Sequence, residues 1–60
     1  MNTLLTDKVT GFNTSIEILI NLDRVDYFKY CTENTCIVKV QGEVFEIRET
    51  FDSIVGLLHN

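Results

Sequence analysis

From Ser15 to Leu22 the apolar residues Ile16, Ile18, Ile20 and Leu22 fall on alternate positions, with Glu17 and Asn21 on the opposite face. That period of two predicts a strand with one buried face. Leu4 to Thr10 supplies an earlier strand, and Gly11-Phe12-Asn13-Thr14 carries the glycine and asparagine of a turn. Asp23-Arg24 marks a bend. Val25 to Tyr30, rich in valine and aromatics, suits a pleated surface, and Cys36 to Val40 and Glu43 to Arg48 follow as two further strands.

Gln41-Gly42 lies between those last two strands, and a two-residue loop with glycine second fits a tight hairpin. Such a turn dictates register, so Val40 faces Glu43, Val38 faces Phe45 and Cys36 faces Ile47. Cys36, Val38, Phe45 and Ile47 then share a core face. The other face carries Lys39 and Glu46 as a diagonal pair of opposite charge, together with Ile37 and Val44, which leaves apolar surface over.

Thr50 can cap a closing helix, with Asp52 in its first turn suiting the helix dipole. Phe51, Ile54, Val55 and Leu58 recur at helical spacing, and so short a helix persists only when docked on the sheet. The expected fold is α+β and mainly β: one domain over residues 1–60, a small antiparallel meander of four or five strands with a C-terminal amphipathic helix.

The hairpin around Glu33-Asn34 has two readings. A two-residue turn there puts Cys31 opposite Cys36, places Lys29 on the core face and turns Phe28 and Tyr30 outward as an aromatic interface patch. A longer loop, Cys31 to Thr35, sets Phe28 against Val38 and Tyr30 against Cys36, inside. Burying Lys29 without a partner is costly, which favours the longer loop.

Composition narrows the functional classes. Sixty residues form a core too small to leave much margin of stability, so a partner subunit would contribute. The chain is 45% apolar with a net charge of −4, in the range of a folded, soluble protein. Its longest apolar stretch, Ile18 to Ile20, is far short of the roughly 20 residues of a membrane span. Asp7 interrupts any signal-peptide pattern at the start, so a cytoplasmic location is expected. Nine carboxylates outnumber five scattered basic residues, a balance that repels phosphate and disfavours direct nucleic-acid binding. Tyr27, Phe28 and Tyr30 could stack on bases, but without a basic groove they read as packing residues.

Catalytic and metal chemistry find little to build on. Cys31 and Cys36 with His59 fall short of the four ligands of a structural zinc site. A Cys31–Cys36 disulfide fits only one of the two registers, and a cytoplasmic chain keeps its thiols reduced. His59 has no nucleophile placed near it by any motif. Glu43, Glu46 and Glu49 suit a solvated edge that discourages strand addition. The chain is therefore expected to be no enzyme and to hold no cofactor or metal.

The run Ile20-Asn21-Leu22-Asp23 through Val25, then Asn34-Thr35, the Gly42 turn, Val44 to Ile47, Glu49 and Ile54-Val55 resembles the FlbD family of small flagellar and swarming-motility proteins. The resemblance covers about forty residues. It implies a short protein with an asparagine-leucine segment, a glycine hairpin and a glutamate-led closing segment, without catalysis or cofactor.

The function these features suggest is a small protein-interaction module, most simply self-associating into a homo-oligomer, with Phe28, Tyr30, Ile37, Val44, Glu43 and Glu46 as interface candidates. A second reading is an acidic inhibitor whose carboxylates, among them Asp23, Asp26, Glu33, Glu43 and Glu46, occupy the basic groove of a nucleic-acid-binding protein. An enzyme or small-molecule binder would need an enclosed pocket that sixty residues rarely form within one subunit.

Overall fold

A computed structural model describes residues 2–59. It contains five strands, β1 (Thr3–Gly11), β2 (Thr14–Asn21), β3 (Val25–Thr32), β4 (Thr35–Val40) and β5 (Glu43–Ile47), and one helix, α1 (Phe51–Leu58). All strand pairs are antiparallel, in the order β2-β1-β5-β4-β3. The mainly-β class with a terminal helix is therefore as the patterning predicts.

The order departs from sequence order at one point. β2 and β3 are consecutive in the chain yet occupy the two edges of the sheet, joined only by a single 3-10 turn, Leu22–Arg24. With strands spaced about 4.8 Å apart, the edges of a flat five-strand sheet would lie roughly 19 Å from one another. Three residues rising about 2 Å each cannot bridge that distance. The sheet must curl into a half-barrel, and its concave side becomes the core.

The core follows from this geometry. Ile20, Cys36, Val38, Val40 and Ile47 line the concave side, and Ile54 of α1 joins the same buried cluster. Leu4, Ile18, Leu22, Val25, Phe28, Phe45 and Phe51 pack around it. Thr6 is the buried polar residue of β1; its Oγ1 donates to Oε2 of Glu49 at 2.6 Å, tying the first strand to the segment that leads into α1. Among the described residues no buried side-chain nitrogen or oxygen lacks a partner.

The β4–β5 hairpin has the register that its turn dictates, with Val40 opposite Glu43, Val38 opposite Phe45 and Cys36 opposite Ile47. Both turn residues have positive φ, 52° at Gln41 and 84° at Gly42, as a tight hairpin of this type demands. A Cβ at Gly42 would touch nothing, so Gly42→Ala isolates backbone strain and is expected to cost about 1–2 kcal/mol. Gly56 also has open space, but it sits inside α1; Gly56→Ala should instead gain about 0.5–1 kcal/mol. Urea titrations of the two variants should move in opposite directions, and two shifts of the same sign would refute this assignment of their backbones.

The β3–β4 hairpin combines features of both readings of its loop. The turn is the two-residue one, Glu33-Asn34, with Thr32 opposite Thr35 and their hydroxyls 2.7 Å apart. Phe28 nevertheless faces Val38 and Tyr30 faces Cys36, because a register shift at Cys31 makes that residue a bulge. Lys29 stays on the outer face, with its Nζ 5.5 Å from the centre of the Tyr27 ring. Cys31 therefore does not oppose Cys36.

Thr50 caps α1 as expected, its hydroxyl accepting the Ser53 N–H at 3.1 Å, with Asp52 in the first turn. Of the apolar stripe, Ile54 is buried and Phe51 half-buried, whereas Val55 and Leu58 remain exposed beside β3.

Candidate interaction surfaces

The six sequence-derived interface candidates do not form one patch. Ile37 and Glu46 are paired across β4 and β5 on the outer face, and Val44 lies on that same face opposite Lys39. Phe28 and Tyr30 point to the other side, where Phe28 packs against the core. Tyr30 is exposed at the sheet margin, its ring edge-on to Phe51 at 6.5 Å. Glu43 stands opposite Val40, at the rim of the concave side. The outward aromatic patch of the two-residue-turn reading is absent, because the Cys31 bulge restores the inward register.

The acidic residues are likewise dispersed. Asp23 and Asp26 flank the start of β3, which pairs with the end of β4 near Glu43, whereas Glu33 sits in the turn at the opposite end of those strands. Glu46 lies on the outer face, its Oε2 accepting from the Cys31 thiol at 3.9 Å.

The most apolar exposed surface lies where the sequence reading placed no interface, on the β1–β2 hairpin. Leu5 and Leu19 are directly opposed on its outer face and are 62% and 64% exposed. Ile16 is half exposed near the far end, and Phe12, in the connecting turn, is 92% exposed. The turn itself needs no aromatic there: the special backbone is at Asn13, with φ of 59°. Asp7 and Glu17 are also directly opposed on this outer face, a like-charge pair that lowers the hairpin's own stability. The alternation in β2 contained the clue, since Leu19 shares its face with Glu17 and Asn21.

Two grooves also mark the described surface. One of about 230 Å³ runs between α1 and β3, lined chiefly by Leu22, Val25, Phe28, Ile54, Val55 and Leu58, with Asp26 at its rim. The other, about 280 Å³, lies between Ile18–Asn21 of β2 and the Gln41-Gly42 turn, where Lys8 and Phe45 also contribute. The Lys8 ammonium sits 4.9 Å from the Phe45 ring centre, so the lysine stem covers the concave side where β1 and β5 part. Both grooves are open, and neither gathers a nucleophile with a base.

The cysteines differ sharply in environment. Cys31 is exposed, whereas Cys36 is buried in the core and its thiol is pushed up by that burial, with Glu49 and Cys31 adding to the rise. One equivalent of iodoacetamide should therefore react readily with the folded protein, and the second only after denaturation. Equal rates for both would place Cys36 outside the core. Because the folded-state value lies above the unfolded one, the stability linked to Cys36 is complete below the ordinary thiol range and declines as pH rises through it.

Among the described residues no helix is long and apolar enough to cross a membrane. Comparison with protein-family models, with curated proteins and with solved structures finds no match.

Proposed function

We propose that this chain is a non-enzymatic protein-interaction module that self-associates through the β1–β2 hairpin. The observation that carries the reading is the exposed apolar pair Leu5 and Leu19 on the outer face of that hairpin, with Phe12 exposed in its turn and Ile16 half exposed on its other face. A monomer leaves these side chains in water, and an association that covers them removes that apolar surface from it. Among the described residues the buried core contains six hydrophobic residues, so covering the hairpin adds substantially to the apolar area removed from water. The resemblance to FlbD proteins points the same way, toward a small protein without catalysis.

Molar mass by light scattering over a concentration series in reducing buffer tests this. The mass is expected to rise above one subunit, and Leu19→Glu, which leaves the hairpin's own pairing intact, should return it to a monomer while the circular dichroism spectrum is retained. A wild-type protein that stays monomeric to millimolar concentration would refute the proposal. The acidic-inhibitor alternative gains nothing from the geometry, which spreads Asp23, Asp26, Glu33, Glu43 and Glu46 over separate regions.

A further inference from the structure

The two edges of the sheet are unequal. β3 is interrupted by register shifts at Asp26 and at Cys31, and α1 packs beside it; bulges and a covering helix are the common devices that stop an edge from accepting another strand. β2 has neither protection. Its register with β1 runs unbroken from Ser15 to Asn21, it contains no proline, and Glu17 is its single charge.

Which backbone groups of β2 are free follows from one hydrogen bond. The Leu22 N–H donates to the Asn2 carbonyl at 2.9 Å, in line with the register that pairs Thr3 with Asn21. Antiparallel ladders alternate between hydrogen-bonded and non-hydrogen-bonded pairs, so Ile16, Ile18 and Ile20 direct their N–H and C=O toward β1. Ser15, Glu17 and Leu19 direct theirs away from the sheet, as does the Asn21 N–H, whereas the Asn21 carbonyl opens the 3-10 turn. The Asp7 carbonyl, which accepts the Arg48 N–H at 2.9 Å on the β5 side, has the complementary parity.

We infer that β2 pairs antiparallel with β2 of a second copy, about a two-fold axis at Ile18, to make a continuous ten-strand sheet. The inference rests on the self-association proposed above and names its surface. Only odd-numbered residues offer free groups, so odd must meet odd, and the registers that keep most of β2 paired centre on Glu17, Ile18 or Leu19. Centring on Glu17 brings the two glutamates face to face, which like-charge repulsion opposes. Centring on Leu19 carries Ile16 past the end of the partner strand, against Leu22. Centring on Ile18 sets Glu17 opposite the second copy's Leu19, Ser15 opposite its Asn21, and Ile16 opposite its Ile20. The concave faces then share an unbroken row of isoleucines, and the exposed Leu19 and Ile16 gain neighbours. A closed two-fold contact of this kind consumes the free edge and leaves β3, already protected, as both outer margins.

Two variants test it. At the axis the two Ile18 residues form a non-hydrogen-bonded pair, with Cα atoms about 4.5 Å apart, inside the range a disulfide spans. Ile18→Cys in a Cys31→Ser background is expected to give a covalent dimer on mild oxidation, and absence of that dimer in a protein that still associates would overturn the register. Glu17→Pro removes an N–H that faces solvent in the monomer, so the fold should persist by circular dichroism. The dimer should weaken by at least about tenfold, since two symmetry-related hydrogen bonds are lost. Undiminished association of a folded Glu17→Pro would overturn the edge pairing and leave the self-association reading standing. A wild-type protein monomeric at every concentration would overturn both.

Discussion

Ile47→Ala is expected to leave the protein largely unfolded at 25 °C. Ile47 is fully buried in β5, opposite Cys36 on one side and Lys8 on the other, so it is the side chain around which both halves of the sheet meet. Truncating a buried isoleucine costs about 2–5 kcal/mol, the higher part of that range applying where neighbours cannot collapse into the space. A single core in a domain this small supplies only about 3–5 kcal/mol in total. Ile47→Val, which removes one methyl group, should cost about 0.5–1.5 kcal/mol and stay folded. Urea titration followed by circular dichroism, at one fixed protein concentration because association would add to stability, distinguishes the two. An unchanged midpoint for Ile47→Ala would mean that β5 is not the centre of the core.

Ile54→Ala should be as costly in magnitude but different in extent. Ile54 is the buried residue of α1, and a helix of eight residues does not hold together in water unless it is docked. Losing its anchor should free α1 and remove Phe51 from Tyr30, while the β4–β5 hairpin, whose ladder makes no use of the helix, keeps its hydrogen bonds. Amide hydrogen exchange reads this directly: protection is expected to vanish over residues 51–58 and to survive in β4. Simultaneous loss in both segments would show that helix and sheet unfold as one unit.

What the sequence revealed was chiefly what short-range geometry controls. Gln41-Gly42 leaves no freedom in how its flanking strands pair, so Cys36, Val38, Phe45 and Ile47 could be placed on one face from their numbers alone. Thr50 and Asp52 mark a helix start through bonds that span three residues. The bulge at Cys31 was not legible, because neither glycine nor proline announces it and the choice depends on what Lys29 and Phe28 would each lose by turning over. Nor was the pairing of β1 with β5, which depends on a single register position, Lys8 with Ile47, and on the curl imposed by the short Leu22–Arg24 connection.

The surface was less legible than the core for a related reason. Ile37 and Val44 were correctly read as apolar residues on the outer face, and Phe28 and Tyr30 face Val38 and Cys36 as the longer-loop reading had them, although Tyr30 stays exposed at the margin. Leu19 escaped notice because it shares a face with Glu17 and Asn21, and a period-two reading assigns a face by its majority. Phe12 sits in a turn, where hydrophobic periodicity carries no information, so its exposure becomes visible only when nothing in the fold reaches it.

The narrow junction between β1 and β5 has a consequence for how the chain assembles. The β1–β2 hairpin and the β3-β4-β5 meander are each built from neighbouring segments, and such hairpins close in microseconds. Lys8 must then find Ile47 across most of the chain, a closure whose entropic cost places the final step among the slower, non-local events of β-protein folding. During synthesis the first hairpin emerges from the ribosome before β5, which follows it by about twenty residues, and until β5 arrives both of its margins are open. The interval between those two moments, rather than the finished fold, is when this protein is most vulnerable to pairing with the wrong strand.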